Sequence, residues 1–243
     1  ARVAKLRGHD VTLFEANKLG GLLIEAEAPE FKSDIRPFHK YQETQLQKLN
    51  IPVVYKKVTM DDLKDFDAVI CATGSAPVKP NIPGVDNKIA LSSLEAIDSP
   101  EKVGKKVVVI GGGLVGTETA LDLAEHDHDV TIVEMLPRIM NDVAATDFIA
   151  YSERIAARDN MHVVTATKLD EVLDDGVLVS NCKKGQYKID ADTVILALGF
   201  KSRRSLYDEL KEAGKEAVLV GDAQHPGKIF DAIHTGYRAG LFI

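Results

Sequence analysis

The chain has 243 residues, 45% of them hydrophobic and 28% charged, enough to bury a core in one large domain or two of ordinary size. A formal net charge of −7 argues against a surface for nucleic acid or anionic membrane, and no apolar run approaches the roughly 20 residues needed to span a bilayer. The two cysteines, Cys71 and Cys182, are far apart and form no C-x-x-C, which excludes a local redox disulfide and suits a reducing, cytoplasmic setting.

In chain order, residues 1–8 read as the end of a helix, with Gly8 suited to the left-handed residue after its last turn. Residues 11–15 form a strand ending in Glu15, and a helix is expected over 37–49. Strands follow at 51–58 and 68–72. The stretch 75–102, punctuated by Pro77, Pro80, Pro83 and Pro100, reads as an ordered crossing between domains. An apolar strand at 107–110 then runs into Gly111-Gly112-Gly113-Leu114-Val115-Gly116, a G-x-G-x-x-G. A helix over Leu114–Glu125 comes next, followed by the strand Val130-Thr131-Ile132-Val133 ending in Glu134. Four further strands, near 161–167, 171–173, 177–181 and 187–189, resemble an antiparallel meander. The strand 193–197 closes this region, and a strand at 218–220 with a helix from Asp231 onward ends the chain.

A glycine triplet alone is weak evidence. Between a strand and a helix, with an acid at the end of the next strand, it is the fingerprint of a dinucleotide-binding βαβ unit. Gly111 allows the tight turn, Gly113 lets the backbone approach a pyrophosphate, and Gly116 lets the helix pack closely on the strand. The helix start, with the N–H groups of Leu114 and Val115, attracts the phosphates. Glu134 is placed to accept from the ribose hydroxyls, and an acid there favours NAD over NADP.

The fingerprint has an echo. His128-Asp129-Val130-Thr131-Ile132-Val133-Glu134 nearly repeats His9-Asp10-Val11-Thr12-Leu13-Phe14-Glu15, and 192–199 repeats 67–74 at almost the same offset. Two matches in one order mean two copies of one nucleotide-binding architecture. In the second copy Asp127 occupies the place of Gly8, a source of strain at the helix end. The first copy's opening strand and glycine loop would fall before residue 1, so the chain is expected to be a fragment of a longer protein. The sheet position left open would offer a pairing edge for an oligomer.

Together, Leu19-Gly20-Gly21, Ala72-Thr73-Gly74, Gly111 to Gly116 with Glu118, Val220-Gly221-Asp222 and the tail from Pro226 to His234 resemble the glutathione-reductase-like flavoproteins. Within them the chain looks most like the C-terminal region of NADH:flavin oxidoreductases of the 2,4-dienoyl-CoA reductase, trimethylamine dehydrogenase and enoate reductase kind. The resemblance implies an α/β fold of two Rossmann-like domains, the NAD(P) domain inserted into the FAD domain. The FAD domain would take 1–102 and 201–243, and the NAD(P) domain 103–200. For FAD, it implies Glu15 at the adenosine ribose and Gly20 and Gly21 against the cofactor. Val58 would lie at the adenine edge through its backbone, Thr73 and Gly74 near the diphosphate or flavin, and Asp222 at a ribityl hydroxyl, with Ala72 and Gly221 as further cofactor-binding candidates. For NADH it implies the 111–116 loop and Glu134, and Gly199 is a further cofactor-binding candidate.

Glu118, expected in the first turn of its helix, either lies near the nicotinamide or stabilises the helix N-terminus. The implied activity passes hydride from NADH to FAD, then electrons to an iron–sulfur cluster and FMN in an N-terminal barrel domain outside this chain. A nucleotide held without turnover and a stand-alone reductase for a ferredoxin-like protein are the alternatives on the same fold. His126 and His128 form an H-x-H with no third ligand at matching spacing, read as a solvated loop before a metal site. His234 is read as docking the last helix or positioning the flavin, and Arg138, four residues after Glu134, as a surface cation or as a residue that softens the preference for NADH over NADPH.

Overall fold

The computed structural model describes residues 1–141 and 143–243. In chain order the elements are α1 (Arg2–Leu6), β1 (Leu13–Glu15), α2 (Leu23–Ala26), α3 (Ile35–Lys48), β2 (Val53–Tyr55), β3 (Ala68–Cys71) and β4 (Ser75–Pro77). Then come β5 (Ala90–Ser92), α4 (Ser93–Asp98), β6 (Lys106–Ile110), α5 (Leu114–Glu125), β7 (Asp129–Val133), α6 (Ala145–Ala156), β8 (Met161–Val164), β9 (Thr167–Leu173), β10 (Gly176–Asn181), β11 (Gly185–Asp190) and β12 (Thr193–Leu196). The chain ends with β13 (Phe200–Ser202), α7 (Ser205–Glu212), β14 (Glu216–Leu219) and α8 (Ile229–Phe242). Two compact units result: unit 1 is Ala1–Ala76 with Phe200–Ile243, and unit 2 is Pro77–Gly199.

Unit 2 is built on a five-stranded sheet in the order β5-β12-β6-β7-β8, every neighbouring pair parallel. A parallel sheet covered on both faces demands near-continuous apolar strands, and Val107, Val108 and Val109 of β6 are buried to 1%, 1% and 0% exposure. The meander β9-β10-β11 is antiparallel, and Leu169, Val172, Val177 and Val179 carry its inner face into the core around Val108, Val133 and Val194.

Unit 1 holds two parallel strand pairs, β1 with β2 and β3 with β14, and a smaller core of Leu63, Cys71 and Leu210 ringed by Phe14, Val58 and Phe66. The helices α1 and α8 meet at Gly240, where a β-carbon would come within 3.0 Å of the Val3 side chain. β1 and β3 are the echoes of β7 and β12. In unit 2 the glycine-loop strand β6 lies between β7 and β12; in unit 1 no strand among the described residues lies between β1 and β3.

The duplication extends to hydrogen bonding. His9 N–H donates to the Ala4 carbonyl at 3.2 Å and His128 N–H to that of Leu123 at 3.1 Å, closing α1 and α5 in the same way. The residue before each is left-handed, Gly8 with φ 97° and Asp127 with φ 65°.

Two expectations need adjustment. The run 161–164 is not part of the meander: β8 is the edge strand of the parallel sheet, paired with β7, and the meander has three strands. The stretch 75–102 is more than a crossing, because β5 pairs with β12 and residues from Pro77 onward belong to unit 2. The helices α2, α4, α6 and α7 have no counterpart among the expected elements. No helix among the described residues is long and apolar enough to cross a membrane.

Candidate functional site

The loop after β6 is shaped by what its glycines exclude. Gly111 has φ 104°, and a β-carbon on it would lie 2.4 Å from the Ala197 carbonyl oxygen. One on Gly116 would lie 1.9 Å from the Gly111 carbonyl oxygen, so α5 can approach only without it. Gly113 differs: a β-carbon there would meet nothing within 4 Å, and the surface of the loop is open at that point. Helix α5 starts after Gly113 with no side-chain cap, and its first intrahelical bond runs from Thr117 N–H to the Gly113 carbonyl at 3.0 Å. The N–H groups of Leu114, Val115 and Gly116 therefore have no acceptor within the helix, and they gather beside the open face of Gly113.

Glu134 closes this arrangement. Its side chain is buried, with one carboxylate oxygen accepting from Gly112 N–H and the other from Leu136 N–H, both at 2.7 Å. The acid and the loop are one hydrogen-bonded unit, with lone pairs left on each oxygen for a further donor. Gly199, after β12, has φ 90° and open space where a side chain would be, and its carbonyl accepts from Val78 N–H at 2.9 Å.

Glu118 is in the second turn of α5, not the first, which holds no acid; stabilisation of the helix N-terminus is therefore a poor account of it. Instead Tyr151 of α6 donates its hydroxyl to the Glu118 carboxylate at 2.6 Å. Burial, followed by that bond to a carboxylate, pushes the Tyr151 phenol well above its ordinary range. Arg138 bonds Asn141 and lies over the Phe148 ring, 5.2 Å from its centroid.

In unit 1, Glu15 ends β1 and accepts from Asn17 N–H at 2.8 Å, the same two-residue reach that joins Glu134 to Leu136. Gly20 and Gly21 both have positive φ, 105° and 51°. Gly21 is open, whereas the His39 ring occupies the space over Gly20. The Val58 side chain packs into the small core.

A second cluster surrounds Asp222. Ser75 Oγ donates to one carboxylate oxygen at 2.8 Å and Gly227 N–H to the other at 3.2 Å, while Ser202 Oγ donates to the Asp222 carbonyl at 2.6 Å. Thr73 Oγ1 donates to the Arg203 carbonyl at 2.5 Å, and Arg203 N–H to the carbonyl of Gly74 at 2.9 Å. Gly221, with φ 55°, donates its N–H to Thr235 Oγ1 at 2.8 Å. Thr73, Gly74, Gly221 and Asp222 are thus joined through β4, β13 and α8, and Ala72 is exposed beside them. Glu15 and the Gly20-Gly21 turn are tied to this cluster by no hydrogen bond among the described residues.

His126 and His128 each turn Nδ1 to a main-chain carbonyl, of Asp122 and Gly104, both at 2.8 Å. His234 stacks on Phe230 along α8, ring centroids 4.0 Å apart. Burial raises the Cys71 thiol's pKa. Ser75, Ser202, Tyr151 and His39 all support expected site residues without having been singled out in the sequence. None carries a motif; each is recognisable only once distant segments are brought together.

The family described as pyridine nucleotide-disulphide oxidoreductase matches residues 1–224. The chain is 34% identical over 251 residues to the cinnamate reductase of Clostridium sporogenes, covering 98% of this chain and 36% of that protein. It is 36% identical over 253 residues to an NADH oxidase of Thermoanaerobacter brockii, covering 98% and 38%. Among solved structures, a 2-naphthoyl-CoA reductase in complex with 2-naphthoyl-CoA superposes with a TM-score of 0.94 at 32% identity, over all of this chain and 37% of that one. The thioredoxin reductase of T. acidophilum shares the fold, with a TM-score of 0.75 at 21% identity over 98% of this chain and 91% of that one. The chain spans less than two fifths of the length of the two reductases and the oxidase.

Proposed function

Because the chain belongs to the pyridine nucleotide-disulphide oxidoreductase family, we propose that it takes hydride from NADH onto FAD and passes electrons to a partner domain elsewhere in a longer protein. At the coarser level, it is a flavin-dependent NAD(P)H oxidoreductase module with Rossmann-type nucleotide-binding units. The observation that carries the finer reading is the joined loop and acid of unit 2. Gly113 is open beside the free N–H groups of α5, and Glu134 is hydrogen-bonded to the loop itself.

In this reading Gly111, Gly113, Leu114, Val115 and Gly116 hold the NADH pyrophosphate, and Gly199 leaves room beside them. The Glu134 carboxylate accepts from the ribose hydroxyls and repels a 2′-phosphate, favouring NADH over NADPH. Glu118, oriented by Tyr151, is the acid assigned to the nicotinamide. In unit 1, Glu15 accepts from the FAD ribose, while the turn at Gly20 and Gly21, the Val58 backbone and the 72–74 segment lie against the cofactor. Asp222, fixed by Ser75 and Gly227, with Gly221 beside it, accepts from the ribityl chain. Together the bound cofactors would supply a hydride donor and its flavin acceptor, and the protein's part is to align them and exclude side reactions.

The place between β1 and β3 is assigned to a strand and glycine loop upstream of Ala1. The greater length of the relatives supports this, as does the position of β6 between β7 and β12. An FMN- and iron–sulfur-bearing barrel is the proposed electron acceptor, and residues 1–243 alone are expected to be inactive. Anaerobic addition of NADH to the intact protein tests the reading. The bound flavin should bleach with NADH and far more slowly with NADPH; a flavin that stays oxidised overturns it.

A further inference from the structure

Helix α3 places one titratable side chain directly beneath the turn assigned to FAD. The His39 ring lies 3.0 Å, through Nδ1, from a carboxylate oxygen of Glu27 and 3.3 Å, through Nε2, from the Leu19 carbonyl oxygen. The side chains of His39 and Glu27 are only 14% and 16% exposed. The ring is also flush against Gly20: a β-carbon there would sit 2.4 Å from Nε2. The Leu19-Gly20-Gly21 turn therefore packs directly against the ring.

Both partners are acceptors when Glu27 is ionised, and a neutral imidazole has a single N–H. The two contacts are satisfied together only when the group carries one proton beyond neutral imidazole and carboxylate. Without it, the remaining N–H goes to the charged acceptor, because hydrogen bonds to ionised groups are the stronger kind. Nε2 then points a lone pair at the Leu19 carbonyl oxygen, and attraction becomes repulsion. The surroundings favour the proton. Besides Glu27, at the end of α2, the ring has Glu43 at 3.7 Å on its own helix. Glu27 Oε2 is buried without a partner. Arg36 turns to the main-chain carbonyls of Glu27 and Ala28 and to Glu30.

We propose that His39 is a positioning residue which holds the Leu19-Gly20-Gly21 turn in its flavin-binding path only while protonated, so that FAD retention depends on pH. This rests on the reading of Gly20 and Gly21 as FAD contacts. The hydrogen bond to Glu27, ahead of the opposing cost of burial, raises the His39 pKa above its ordinary value. The brace is therefore fully present below the unfolded histidine value and is lost as pH rises through the higher folded one.

The test uses the intact protein stripped of flavin, with FAD affinity read by flavin fluorescence between about pH 5 and pH 8. Affinity should weaken with rising pH, about tenfold for each unit by which FAD binding raises the His39 pKa. His39→Gln, which donates to Leu19 without titrating, should keep affinity and lose the pH step, whereas His39→Leu should bind weakly throughout. On selectively labelled wild-type protein without FAD, the Gly20 amide resonance should titrate together with the His39 ring. An unchanged step in His39→Gln, or a Gly20 amide indifferent to His39, overturns the proposal, and the wild-type titration decides it if the variants do not fold. Absence of FAD binding at every pH, with the Gly20 amide still following His39, would refute the FAD assignment of the turn and leave the brace standing.

Discussion

At Gly116 a β-carbon would strike the Gly111 carbonyl, while at Gly113 it would enter open space, so the two glycines of one loop separate folding from binding. Gly116→Ala should destabilise the protein by about 3 kcal/mol through overpacking, seen as a lower midpoint in denaturant unfolding. Gly113 has φ −67°, which any residue tolerates, so Gly113→Ala should leave unfolding unchanged within about 0.5 kcal/mol. It should still weaken NADH binding at least tenfold, about 1.4 kcal/mol, as measured by titration calorimetry. If Gly113→Ala binds NADH normally, the pyrophosphate does not lie over the loop. These roles were legible because glycine spacing between a strand and a helix is a local pattern. The partners of Glu118 and Gly20 were not. Tyr151 is 33 residues from Glu118, and His39 is 20 residues from Leu19, separations over which no sequence period operates.

The ends of α1 and α5 show one capping geometry built twice with different residues. Gly8 adopts its left-handed conformation without steric cost, whereas Asp127, at φ 65°, keeps a β-carbon close to the following carbonyl. Asp127→Gly should raise stability by about 0.5–1 kcal/mol, the remainder of that relief after glycine's extra unfolded-state entropy. Thermal unfolding of the variant would show it, and a decrease would mean that the aspartate side chain makes a compensating contact. Strands with buried apolar runs, such as β6 and β12, were readable to within a residue or so. The helices α6 and α7 were not, since neither begins with a side-chain cap and α6 buries no residue fully. β8 was assigned to the wrong sheet because its exposure pattern, buried at Met161 and open at the next two positions, is that of an edge strand in either arrangement.

Across the whole molecule, the repeat was legible because two strand-end motifs recur at nearly one offset. The boundary was less so: the prolines of 75–102 look like a linker but leave room for β5. Unit 2 is one continuous stretch, Pro77–Gly199, with its own sheet and core. Residues 77–199 alone should therefore fold cooperatively and bind NADH, measured by denaturant unfolding and by calorimetry. Non-cooperative melting would show that the unit needs the rest of the chain. Unit 1 has no such independence. Its strand β3 pairs with β14 in a register that sets Cys71 against Leu219, so the intervening unit must be made before that ladder can close. On a ribosome adding about 5–20 residues per second, β3 waits roughly 7–30 s for its neighbour, far longer than hairpins or helices take to form. The nascent chain thus assembles from the middle of its sequence outward, with the inserted unit folded while the outer one is still open to chaperones.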